Sequence, residues 1–221
     1  MSANNGLVVF FDVDGLLVDS EKVYNECWIN AAASMGYSLS KIEACKLRSL
    51  DSSLARKLFF EWYQDDSAYD LVRAQRKKIM FEKLQSVSLK AKPGVDYILN
   101  ILDSKGIDYA IVTSAPIARA KSYLKTSGIN HEFKNIVSTE LVKKGKPYPD
   151  VYQFALESLK LNGNQVLALE DSPNGLLSAH QAGCRTVMIP DLTDFNSELE
   201  AYVDYKFDNL IECADFINEH Y

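Results

Sequence analysis

The stretch LVVFFDVDG at residues 7–15 constrains the fold more than any other part of the chain. An unbroken apolar run stops at two aspartates, Asp12 and Asp14, with Gly15 directly after them. Such a run, rich in β-branched and aromatic residues, is the pattern of a strand buried on both faces, as in a parallel sheet. Its end is electrostatically awkward. Two carboxylates about 4 Å apart repel by on the order of 4 kcal/mol at an effective dielectric near 20. A cation at the end of this strand would reverse that sign.

Similar runs recur at 107–114 (IDYAIVTS), 134–138 (KNIVS), 165–171 (QVLALED) and 184–189 (CRTVMI). Helix-length segments separate them. Residues 94–106 place Val95, Ile98, Leu99 and Leu102 at helical spacing, and Gly106 then stops the helix. Residues 149–161 put Val151, Phe154, Ala155 and Leu159 on one side, and 173–183 open with proline and close with glycine. The alternation predicts an α/β fold with a doubly wound parallel sheet. From about residue 20 to 90 there is no convincing strand. The segments 20–36, 40–63 and 68–85 read mostly as amphipathic helices, and 207–221 as a closing helix. The expected organisation is a core of residues 1–19 and 91–221, with an all-α insert at 20–90 placed after the first strand, over the carboxyl edge of the sheet.

Composition narrows the function. The 221 residues are 47% hydrophobic, enough for a sizeable core, and carry a formal charge of −6. An acidic surface makes nucleic acid and anionic membranes unexpected partners. The four cysteines form no CxxC pair, which suits a reducing cytoplasm rather than a disulfide framework or a zinc site. The first residues, MSANNG, lack a basic leader, and no apolar run is long enough for a signal peptide or a membrane span. The expected protein is cytoplasmic, and monomeric by preference.

In an open α/β sheet, ligands bind beyond the carboxyl ends of the strands. Those ends supply Asp12 and Asp14, then Thr113 and Ser114, then Glu170 and Asp171, while the loop GKPYPD adds Lys146. Three carboxylates at close range suit a hard cation that keeps water and substrate oxygens in its shell, Mg²⁺ above all. Metal, ammonium, hydroxyl and acid together suit phosphoryl transfer. Asp12 can attack phosphorus, Asp14 can move the proton, and Lys146 and Ser114 can hold phosphoryl oxygens.

These motifs resemble those of the haloacid dehalogenase superfamily of phosphatases. DVDGLLVDS is similar to its DxDGxxxDS motif, IVTS to its second motif, GKPYPD to its lysine motif and EDSPNG to its acidic motif, in the family's order and spacing. The helical insert resembles the C1-type cap of β-phosphoglucomutase-like members. The resemblance implies a Rossmann-like core and an Mg²⁺-dependent phosphatase acting on a small phosphorylated metabolite, in the first instance a sugar phosphate. It implies Asp12 as nucleophile and metal ligand, and Asp14 as acid/base and ligand through its main-chain carbonyl. Asp171 becomes the third ligand, with Glu170 beside it as ligand or orienting group. Ser114 and Lys146 hold the phosphoryl group, with Thr113 the alternative to Ser114.

The main alternative is a sugar phosphomutase, and an inactive phosphate-binding or regulatory module is the other. The mutases' motif resembles DTxxxHxxAW, whereas here DSEKVYNECW puts Tyr24 in the histidine's place, and their cap arginine motif is not evident around KLRSLDSS. Hydrolysis is therefore the expected reaction. In the insert, Tyr24, Arg48 and Lys57 are candidates to face substrate. Trp28 and Trp62 read as cap core, Asp19 and Ser20 as helix caps, Lys143 and Lys144 as solvated, and His131, His180 and His220 as structural or surface residues.

Overall fold

The computed structural model describes residues 6–221. Six strands form one parallel sheet: β1 (Val8–Phe11), β2 (Asp108–Thr113), β3 (Ile136–Ser138), β4 (Val166–Glu170), β5 (Arg185–Met188) and β6 (Tyr205–Lys206). Their order is β3-β2-β1-β4-β5-β6. The first five answer the five apolar runs. The sixth is two residues long, too short for any pattern to announce it. The chain adds strands to one side of β1 and then crosses to the other, so the order reverses between β1 and β4. That switch point is where such sheets hold ligands.

Alternate residues of β1 feed two cores, as strand geometry requires. Val9 and Phe11 pack with α5 (Val95–Lys105), α6 (Ile117–Thr126) and α9 (Leu210–His220). Val8 and Phe10 pack with α7 (Asp150–Leu159) and α8 (Pro173–Gln181). Gly106 ends α5 in the left-handed conformation, as its sequence position implies. In α7 the buried face is Val151, Tyr152, Ala155 and Leu156, and Phe154 is exposed, so the helix is rotated from the expected face. That rotation turns Tyr152 under the sheet's carboxyl edge.

The insert contains α1 (Glu21–Ser34), α2 (Lys41–Lys46), α3 (Ser52–Tyr63) and α4 (Ala68–Lys83). It has its own core of Trp28, Ala31, Phe59, Tyr69 and Val72. Its entry and exit strands lie side by side: the Asp19 amide donates to the Lys90 carbonyl at 2.9 Å, and the Lys92 amide to the Leu17 carbonyl at 2.9 Å. The 40–63 segment is not continuous helix. Ser49 takes a φ of 53°, and Asp51 accepts from the Ser53 amide, opening a new helix. The resulting loop, residues 47–51, docks on the sheet edge: the Asp51 amide donates to the Lys146 carbonyl at 2.7 Å, and the Asp51 carboxylate accepts from the Gly145 amide at 2.8 Å. Among the described residues, no helix is long and apolar enough to cross a membrane.

Phe59 is wholly buried among Trp28, Trp62, Tyr63 and Tyr69. Phe59→Ala is expected to lower stability by about 3–5 kcal/mol, read by urea denaturation. A loss under about 1 kcal/mol would mean that the cap core is not packed as described.

Candidate active site

The parallel register builds the centre of the site. Phe11 pairs with Ile111 on one side and Leu169 on the other, so one step further Asp12 stands beside Val112 and Glu170. Lys146 reaches this row from the loop after β3. Its Nζ donates to Asp12 Oδ1 at 2.9 Å, to the Val112 carbonyl at 3.1 Å and to Glu170 Oε1 at 2.5 Å. Tyr152, brought in by α7, donates its hydroxyl to the same Glu170 oxygen at 2.5 Å. Lys146, Glu170 and Tyr152 are fully buried. Burial opposes the lysine's charge, but its two carboxylate partners outweigh it and hold the ammonium above its ordinary pKa.

Asp14 is held from two sides. Ser20 Oγ donates to Asp14 Oδ1 at 2.6 Å, and Arg119 Nη2 to Asp14 Oδ2 at 3.2 Å. Ser20 occupies the N-cap position of α1 without capping it, so its hydroxyl orients Asp14 instead. Gly15, at φ 84°, lets the chain turn between them. A Cβ there would overlap the Asp171 carboxylate and Glu21, and one at Gly175 would overlap the Glu170 carboxylate.

Arg48 descends from the cap loop onto Asp171. Its guanidinium pairs with the Asp171 carboxylate, lies 3.5 Å from Glu21 Oε2 and donates to Thr193 Oγ1 at 2.9 Å. Around this point five buried carboxyl groups (Asp12, Asp14, Glu21, Glu170 and Asp171) face three cations (Lys146, Arg48 and Arg119), so that with all five ionised two negative charges are unmatched. Asp12 Oδ2, Glu170 Oε2 and Asp171 Oδ1 are buried and have no hydrogen-bond partner. One oxygen from each of these residues lies within 4.8 Å of the others. Burial pushes the Glu170 carboxyl up to about 8 and the Asp171 carboxyl up to about 7, and moves Asp12 the same way. Unpaired oxygens, unmatched charge and an all-oxygen donor set fit a hard divalent cation.

A cavity of about 280 Å³ opens over this cluster. Asp12, Asp14, Thr113, Ser114 and Arg48 line its floor and wall, and Tyr24, Trp28, Arg73 and Arg76 its cap side. Ser114 does not cap α6, whose first amide goes to Glu140; its hydroxyl lies 3.4 Å from the Ser49 carbonyl of the cap loop. Thr113 also faces the cavity, its Oγ1 accepting from the Ala115 amide at 3.1 Å. All seven residues expected from the motifs thus meet at one edge. Of the cap candidates, Tyr24 and Arg48 line the cavity; Lys57 is exposed and does not. Trp28 belongs to the cap core and also reaches the cavity, and Lys143 is exposed, as expected, while also lining the cavity. His131, His180 and His220 lie elsewhere, against Asp103, Tyr202 and Phe216.

A family model described as haloacid dehalogenase-like hydrolase matches residues 9–189. A phosphorylated carbohydrates phosphatase of Thermotoga maritima is 30% identical over 198 residues, covering 87% of this chain and 90% of the relative. Hexitol phosphatase A of Escherichia coli is 32% identical over 181 residues, covering 81% of each. The solved structure of a hydrolase from Pseudomonas syringae has the same fold, with a TM-score of 0.84 and 22% identity over 97% of this chain and 99% of that one.

The raised carboxyls have a consequence for stability. Unfolded, Glu170 and Asp171 lose their protons near pH 4. Folded and metal-free, they keep them to about 8 and about 7. The folded state therefore binds more protons between about pH 4 and 8, and stability falls as pH rises through that window. Melting of chelator-treated protein is expected to drop from pH 5.5 to 8.5, and Mg²⁺ is expected to stabilise more at the upper pH. A pH-independent Mg²⁺ effect would contradict the carboxylate cluster as the ion's seat.

Proposed function

The chain belongs to the haloacid dehalogenase-like hydrolases and is a phosphomonoester-hydrolysing enzyme, and from that premise we propose that it is an Mg²⁺-dependent sugar phosphate phosphatase working through an aspartyl phosphate on Asp12. The observation that carries this reading is the state of the Asp12 carboxylate: one oxygen is fixed by Lys146, and the other is buried without a partner beside a cavity lined by Asp14, Thr113 and Ser114.

Asp12, Asp171 and the Asp14 carbonyl would hold the ion, with Glu170 Oε2 as a further donor or, through Oε1, the anchor of Lys146. Bound there, Mg²⁺ supplies charge neutralisation for the phosphoryl oxygens. Residues 20–90 act as the cap, and 1–19 with 91–221 as the catalytic core. The free carboxylate oxygen of Asp12 attacks phosphorus, and the bond to the leaving oxygen breaks. Asp14 gives that oxygen its proton, then takes one from the water that attacks the aspartyl phosphate, releasing phosphate and restoring Asp12. Ser20 and Arg119 fix the direction from which Asp14 works. Lys146 and Ser114, or Thr113 in its stead, hold phosphoryl oxygens, so their contribution is positional and electrostatic. The named activities of the two relatives support a phosphorylated carbohydrate as substrate.

Purified protein is expected to release phosphate from a small phosphomonoester with Mg²⁺ and to stop when the metal is chelated. Asp12→Asn is expected to reduce turnover to background, and Asp14→Asn to lower kcat by about 10²–10⁴-fold. Activity retained by Asp12→Asn would remove the nucleophile assignment. Phosphorus NMR of β-glucose 1-phosphate separates the reactions: free phosphate is expected, and accumulation of glucose 6-phosphate would make the enzyme a mutase.

A further inference from the structure

Eight charged side chains are buried among the described residues: Asp12, Asp14, Glu21, Arg48, Arg76, Lys146, Glu170 and Asp171. Seven of them sit in ion pairs. Arg76 does not. It is 7% exposed, its Nε has no hydrogen-bond partner, and its guanidinium carbon lies over two ring faces, 4.8 Å from Trp28 and 5.0 Å from Tyr24. Aromatic faces attract a guanidinium but carry no net charge to cancel it.

The surroundings add positive charge rather than remove it. Arg73, one turn earlier on α4, also lines the cavity and is in no ion pair; it lies 5.9 Å from the Tyr69 ring. Arg119 crosses from α6 and shares the Tyr24 ring at 5.3 Å, its one carboxylate being Asp14. Arg73, Arg76 and Arg119 line both the main cavity and a second cleft that continues outward between α4 and α6. The field reaches Lys77 on that cleft, whose ammonium is pushed below its ordinary value first by Arg73, then by burial, Arg76 and Arg119. Burial lowers Arg76 itself in the same direction, with Arg119 and Arg73 adding to it. A buried guanidinium without a counter-charge is costly, and an anionic ligand that pairs with it removes that cost. A phosphoryl group attacked by Asp12 sits at the carboxyl edge of the sheet, where Lys146 holds Asp12, whereas Arg76 belongs to α4 of the cap, against Trp28 and Tyr24.

We propose that the substrate carries a second anionic group, a carboxylate or a second phosphate, and that Arg76, with Arg73 beside it, binds this group on the cap side. The inference rests on the phosphatase reading and narrows it to phosphorylated sugar acids or sugar bisphosphates over neutral sugar phosphates. Selection then follows from charge. A neutral chain places hydroxyls against Arg76 and leaves its charge unmatched, whereas an anion forms charge-assisted hydrogen bonds with the planar guanidinium.

Three probes share a six-carbon chain and differ at the far end: glucitol 6-phosphate (neutral), gluconate 6-phosphate (carboxylate) and fructose 1,6-bisphosphate (second phosphate). In Asp12→Asn protein, calorimetric titration is expected to show at least one of the doubly anionic probes binding about tenfold or more tighter than glucitol 6-phosphate, and the better of the two tells which anion is read. Arg76→Met in that background is expected to remove most of the preference, and Arg76→Lys to keep part of it. Arg73→Met serves as the second variant should Arg76→Met fail to fold, with a smaller loss of the same preference. Equal affinity for all three probes, or a loss in Arg76→Met that is the same for neutral and anionic probes, overturns the inference. Steady-state kinetics of the native enzyme keep the two readings apart. No phosphate release from any ester, aryl phosphate included, defeats the phosphatase reading alone if the binding preference persists. Release from all three at equal kcat/KM defeats the second-anion inference alone.

Discussion

The Lys146 ammonium at the carboxyl edge of the sheet is the interaction on which the site depends. It bridges Asp12 and Glu170, two carboxylates that the register of β1 and β4 places side by side. Without it, the central strand would end in buried charges of one sign; losing one partner of such a buried pair typically costs about 3–5 kcal/mol. Lys146 also selects between the two oxygens of Asp12, engaging one and leaving the other free. Tyr152 fixes Glu170 from the far side, and Gly175 gives that carboxylate its room. The lysine is therefore a member of the buried core and of the site at once, and its loop is tied to the cap by Asp51.

Charge is then distributed in two layers. On the floor, carboxylates outnumber cations, which suits a divalent ion. On the cap wall, Arg73 and Arg76 are in none of the ion pairs among the described residues, which suits an anion. Arg48 belongs to both, a cap residue that pairs with Asp171 on the core. Because it is held by the cap loop at residues 47–51, movement of that loop would alter the electrostatics of the floor. The two antiparallel linkers at Leu17–Asp19 and Lys90–Lys92 are the natural place for such movement to originate.

The floor was legible in the sequence because each of its groups is local. Asp12, Asp14, Thr113, Ser114, Glu170 and Asp171 sit at the ends of apolar runs, and the sheet needs only to form for them to converge. The arginine contacts around it were less legible: Arg48 stood among the candidates, but its Asp171 partner did not follow from the sequence, nor did Arg119. Arg119 meets Asp14 across 105 positions, and Arg48 meets Asp171 across 123, so both contacts depend on how helices rotate and dock. Tyr152 was hidden by a similar cause: the pattern of α7 is compatible with either of two neighbouring faces, and packing on the sheet chose the one that buries the tyrosine. The break at Ser49 left one usable trace, Asp51 followed by two serines, an N-cap signal inside an apparently continuous helix.

The covalent step on Asp12 is the most exposed part of the proposed chemistry. It can be read by quenching the enzyme in acid during turnover, reducing acyl phosphates with borohydride, and sequencing the peptides by mass spectrometry. Phosphorylated Asp12 would be recovered as homoserine at position 12, only when substrate and Mg²⁺ are both present. An unmodified Asp12 under turnover, or homoserine at another carboxylate, would contradict it.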